Sequence, residues 1–99
     1  MSAGAEIEVR AAEDGPGHVF EVVVRERGGE TRHRVTVSQD DRKRFGGDEV
    51  PPADLVKESF RFLLEREPKE SILGRFALNV IARYFPEYPR EIARRLKRG

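Results

Sequence analysis

The residue types that most often carry covalent or metal chemistry are scarce in this chain. It has two histidines, His18 and His33, and no cysteine. Without cysteine there is no thiolate nucleophile, no disulfide framework and no Cys-ligated zinc site. The histidines are not spaced His-x-x-x-His, so they do not form a helical zinc pair. His33 falls on the apolar face of a strand and is expected to be an edge histidine bonded to backbone or water. Ser38, Ser59 and Ser71 read as a helix N-cap, a helix-packing serine and a first-turn residue. None lies in a Gly-x-Ser-x-Gly elbow. The carboxylate pairs Asp40–Asp41 and Asp48–Glu49 are adjacent in sequence, so their side chains diverge into solvent. Gly28–Gly29 and Gly46–Gly47 lack the following Gly-Lys-Ser/Thr of a phosphate loop. The expectation is a chain with no catalytic set, no metal and no cofactor.

Positive charge is the feature that stands out. Nineteen Lys and Arg oppose eighteen Asp and Glu, for a net charge of +1, but the distribution is uneven. Residues 1–30 sum to −4, 31–50 to +1, 51–74 to −1 and 75–99 to +5. Two basic sets result. One is Arg42, Lys43 and Arg44. The other is Arg83, Arg90, Arg94, Arg95, Lys97 and Arg98, interleaved with Tyr84, Phe85 and Tyr88. Cations neutralise phosphates and aromatic rings stack on bases, so these sets could form a weak, non-specific nucleic-acid surface. The plainer reading packs Tyr84 and Phe85 inside and leaves the arginines as a solvated helix face. A helix-turn-helix over 68–86 would be a poor reader, because Asn79–Phe85 would have to expose its apolar side chains to read DNA.

Strands and helices must position these groups. Glu6–Ala11 alternates polar and apolar, and His18–Val24 is dense in β-branched residues. A turn is read at Asp14–Gly17. A third strand, Thr31–Val37, follows a hairpin loop placed at Gly28–Gly29, since glycine accepts the positive φ of the primed turns. That loop sets Val22 against Val35, Phe20 against Val37 and Val24 against His33. On the other side Val9 faces Val22, with Arg10 beside Glu21 and Glu6 beside Arg25. One pair, Arg25 against Arg32, is unfavourable.

Ser38 caps a short helix through Arg42–Phe45 that stops at Gly46–Gly47. Pro52 opens the central helix, 52–66, where Leu55, Val56, Phe60, Phe62, Leu63 and Leu64 cover roughly 200° of a helical wheel. An arc that wide is buried on two sides. Phe60, Leu63 and Leu64 are the expected core, with Arg61 and Glu65 outside. Pro68 opens a second helix burying Ile72, Leu73 and Phe76. Asn79 caps a third, with Val80, Ile81, Tyr84 and Phe85 facing in, and Pro89–Lys97 forms a last, weakly anchored one.

The runs Ser59–Leu73 (SFRFLLEREPKESIL) and Val80–Tyr88 (VIARYFPEY) resemble segments of small bacterial proteins without an assigned function. The resemblance covers the C-terminal part of the chain. It implies a bacterial origin and supplies no catalytic or binding residue.

The sequence therefore predicts one α+β domain over residues 1–99, with a flexible 1–5, a three-stranded antiparallel β-meander over 6–38, and a helical part over 39–99 whose end frays. One sheet face is covered by the central helix and by two to three shorter C-terminal helices. No signal peptide or membrane span is read, and a cytoplasmic location is expected. The functional expectation is a non-enzymatic accessory or protein-interaction protein with an unnamed protein partner. A homodimer through the third strand's edge or leftover apolar helix surface is a further expectation. The alternative is a small nucleic-acid binder using its basic C-terminal segment.

Overall fold

The computed structural model describes residues 5–13, 18–47 and 49–97. These form an α+β fold built on a four-stranded mixed sheet in the order β1-β2-β3-β4. The strands are β1 (Glu6–Glu13), β2 (His18–Glu26), β3 (Gly29–Val37) and β4 (Arg75–Ala77). The first three make the antiparallel meander, and β4 adds to β3 in parallel. The predicted three-stranded sheet is thus one strand short.

β1 lies on β2 as the alternation requires, with Ile7 opposite Val24, Val9 opposite Val22 and Arg10 opposite Glu21. The β2–β3 hairpin differs from its predicted register by two residues. Its loop is Arg27–Gly28, with φ of 57° and 78°, the paired positive angles of a type I′ turn. Val22 consequently faces His33 rather than Val35, and Phe20 faces Val35 rather than Val37. A shift of two leaves every side chain on its own face, so hydrophobic alternation cannot separate the two registers. Charge can. The loop at Gly28–Gly29 opposes Arg25 to Arg32, whereas the observed one sets Arg25 against Glu30 and Arg34 against Glu21, with ion pairs at 3.3 Å and 3.0 Å. These pairs help offset the roughly 1–2 kcal/mol of a left-handed non-glycine residue.

Ser38 Oγ accepts the Asp41 N–H at 3.0 Å and so caps α1 (Gln39–Asp41), which runs on into a π-helical turn, Arg42–Gly46. Gly47, at φ 81°, ends it. α2 (Pro52–Arg66) buries Leu55, Val56, Ser59, Phe60, Phe62 and Leu63, while Leu64 is half-buried and Arg61 and Glu65 are exposed. It packs on β1 and β2 from one side and on α4 (Tyr88–Lys97) from the other, the two-sided burial its wide apolar arc requires.

The segment after Pro68 corrects the sequence reading most. Lys69–Ser71 is only a 3₁₀ turn, whose Lys69 is buried against the hairpin at Gly29. The chain then extends into β4 instead of a second helix. Phe76 and Leu78 point into the core two residues apart, a strand period, and Leu73 is left exposed. α3 (Val80–Tyr84) buries Ile81 but turns Tyr84 outward. α4 is well anchored, with Tyr88 and Ile92 fully buried. The turn at Asp14–Gly17 and the expected fraying at Arg98–Gly99 lie outside the described residues, as do residues 1–4.

Candidate functional site

The buried polar side chains of His33, Ser59 and Tyr88 are occupied with holding the fold together. His33 is not an edge histidine in the row of Ile7. It stands beside Val22, 4% exposed, with its ring 5.2 Å from that of Phe60. Its Nδ1 lies 2.8 Å from the Leu73 carbonyl and its Nε2 2.9 Å from Thr31 Oγ1. A carbonyl only accepts, so Nδ1 carries the proton and pins the entry to β4 onto β3. Ser59 Oγ donates to the Leu55 carbonyl at 2.7 Å and contacts the Tyr88 hydroxyl at 2.6 Å. Among the described residues no group of His, Cys, Asp or Glu is placed to hold a metal ion.

The surface between α2 and α3 differs in character. α2 lies over β1 and β2 while the five-residue α3 lies beside β4, so the helical layer is open between them. A groove of about 390 Å³ fills the gap, lined by Leu63 of α2, Glu67 just past its end, Phe76 of β4, Val80 and Ile81 of α3, and Phe85. Leu73 and Tyr84, 48% and 66% exposed, also line it. Its polar groups are one carboxylate, Glu67, and one hydroxyl, Ser71, besides the phenol of Tyr84. The groove is therefore suited to apolar side chains entering from outside rather than to a charged ligand. Sequence reasoning missed it because Leu73 and Tyr84 were placed on buried helix faces. The available signal was the two-residue spacing of Phe76 and Leu78 after Gly74, which marks a strand.

The basic residues are brought onto neighbouring elements but are not all available to a partner. The π turn and α4 pack together, Phe45 against Tyr88 at 5.0 Å between ring centroids. Lys43 and Arg44 are exposed there, and the Arg44 guanidinium lies 4.8 Å from the centre of the Phe45 ring; Arg42 is half-buried. On α4, Arg94 is bound by Glu91 and Arg95 by Glu65, both at 2.6 Å. Arg83 and Arg90 are exposed. The side chain of Lys97 and the whole of Arg98 lie outside the described residues. Tyr84 stands outward, so the expectation that it packs inside fails, whereas Phe85 is half-buried against the Phe62 ring. The helix-turn-helix over 68–86 is absent, since that stretch holds a 3₁₀ turn, a strand and one short helix. No helix of the described residues is long and apolar enough to cross a membrane.

Comparison with protein families, with characterised proteins and with solved structures finds no match.

Proposed function

We propose that this chain is a non-enzymatic accessory protein that binds a protein partner through the groove between α2 and α3. One observation carries the reading: two large apolar side chains, Leu73 and Tyr84, are held exposed on the walls of an apolar groove. A grouped apolar patch on a small domain marks a contact site more than scattered apolar residues do. A partner's apolar segment laid in the groove would complete the helical layer over β3 and β4. The groove's few polar groups include no basic side chain to pair with Glu67 for acid–base work. The basic C-terminal segment supports nucleic-acid binding less well, because Glu91 and Glu65 already hold Arg94 and Arg95.

The test is a photo-crosslinking amino acid at position 84, and separately at position 90, of the full chain in its native cell. A discrete protein adduct from position 84 that Leu73→Glu abolishes supports the groove. An adduct with nucleic acid from position 90, and none from position 84, overturns it in favour of the basic segment.

A further inference from the structure

We propose that the β1 edge, at the opposite side of the sheet from the groove, joins two copies of this chain in an antiparallel homodimer centred on Val9. β1 and β4 are the two outer strands; β4 spans only three residues and covers the β3 edge that the sequence offers for pairing, whereas β1 is long enough to pair with another strand. Which backbone groups of β1 face outward follows from the hairpin. The two-residue turn Arg27–Gly28 makes Glu26 and Gly29 its hydrogen-bonded closing pair. Alternation then directs the N–H and C=O of Val24, Val22 and Phe20 to β3, and those of Arg25, Val23 and Glu21 to β1. On the far side of β3 the same alternation requires Arg34 and Thr36 to face β4. They do, with Arg34 N–H donating to the Gly74 carbonyl at 2.8 Å and Thr36 accepting the Leu78 N–H at 2.9 Å. The β1 partners of Arg25, Val23 and Glu21 are Glu6, Glu8 and Arg10, so Ile7, Val9 and Ala11 direct their N–H and C=O groups outward.

A twofold axis perpendicular to the sheet keeps the helix-covered faces of both copies on one side, and parity then limits the register. Centred on Val9, the two strands exchange hydrogen bonds at Val9–Val9 and at both Ile7–Ala11 pairs. Glu8 of each copy meets Arg10 of the other, twice, at the positions where side chains approach most closely. Centring on Glu8 instead opposes the two Glu8 carboxylates, and centring on Ile7 opposes Glu6 to Glu8. Of these three registers, only the one at Val9 opposes no like charges. The bulge between Ala11 and Glu13 ends the regular edge, leaving Ile7–Ala11, a segment symmetric about Val9. Within one copy Glu8 is bound by Arg10 at 3.0 Å and by Arg25 at 3.1 Å, so the dimer exchanges the Glu8–Arg10 pair between copies instead of adding a new one. Both side chains are accessible for this, Arg10 72% and Glu8 41% exposed. Val9 is half-buried and Ala11 exposed, so pairing also covers apolar surface. The product is a continuous eight-stranded sheet with one groove near each end.

Sedimentation equilibrium at the concentrations used for NMR tests this with the full chain. The wild type is expected at twice the 11.3 kDa chain mass. Arg10→Glu and Glu8→Arg should each raise the dissociation constant about tenfold or more, by opposing like charges. Mixing these two variants should restore association, because each then meets the opposite charge. Val9→Pro should abolish the dimer while sparing the β1–β2 ladder, since the N–H it removes points outward. In the wild type, isotope-filtered NOEs should join Glu8 Hα to Arg10 Hα between copies, a readout independent of whether any variant folds. Wild-type protein that stays monomeric, a dimer that persists in all three variants, or a dimer lacking that NOE overturns the proposal.

Discussion

The Tyr88 hydroxyl donates a hydrogen bond to Ser59 Oγ across 2.6 Å, in a site from which both side chains exclude water. The direction follows from the serine, whose single proton is already given to the Leu55 carbonyl. This bond ties α4 to α2, and the two residues are not equivalent when removed.

Tyr88→Phe leaves Ser59 still bonded to Leu55 and should cost about 0.5–1.5 kcal/mol, one net hydrogen bond. Ser59→Ala strands a buried phenol without an acceptor and should cost about 1–3 kcal/mol. Urea denaturation of the two variants checks the order. A larger loss in Tyr88→Phe than in Ser59→Ala would reverse the assigned donor.

Alkaline stability should report on the same phenol. Burial is the main cause that pushes Tyr88 above the usual tyrosine range, and the Asp41 charge adds to it. The folded state thus holds the proton more tightly than the unfolded chain does. Its contribution to stability is complete below the ordinary tyrosine value of about 10 and falls as pH rises beyond it. Denaturation midpoints measured from neutral to strongly alkaline pH should show this decline. The Tyr88→Phe variant should show a shallower one, and an unchanged slope would count against the assignment.

The hairpin turn should be improvable. Arg27 occupies the left-handed region at φ 57°, where asparagine is tolerated better, and Asn-Gly is the favoured type I′ pair. Arg27→Asn is expected to raise stability by about 0.5–1 kcal/mol. A thermal melt showing a loss instead would mean that the Arg27 side chain contributes more than its backbone angle costs.

Nδ1 of His33 should be found carrying a proton, because the Leu73 carbonyl can only accept. Long-range ¹⁵N–¹H spectra of the imidazole show directly whether Nδ1 is protonated. Substituting His33 with leucine removes this bond and should speed amide exchange at Phe76 and Leu78, which follow the segment it holds.

Sequence pattern reached the elements whose periodicity runs long enough to be unambiguous. The fifteen residues of α2 and the alternation of β1 and β2 are of this kind, and so is the pairing of Val9 with Val22. It could not separate two registers of the β2–β3 hairpin that place the same side chains on the same faces; only the opposition of Arg25 to Arg32 spoke against the one chosen. β4 escaped because three residues hold less than two full alternations, and because its pairing partner, β3, lies far back in the chain. The groove escaped with it, since Leu73 and Tyr84 look like core residues until the strand between them is known. The basic residues were legible as a cluster, but the carboxylates that bind Arg94 and Arg95 were not, because Glu65 meets Arg95 only once α2 and α4 have packed.

The parallel seating of β4 also orders events during synthesis. The meander β1–β3 and then α2 leave the ribosome before Arg75 does, so for that interval β3 is itself an outer strand with Arg34 and Thr36 directing unfilled backbone groups to solvent. Nascent chains crowded on one message would expose that edge to one another before each could close it from within. The arginines on that strand's solvent face are already paired, Arg32 with Glu30 and Arg34 with Glu21, so it is the arrival of β4, and not charge, that closes the edge.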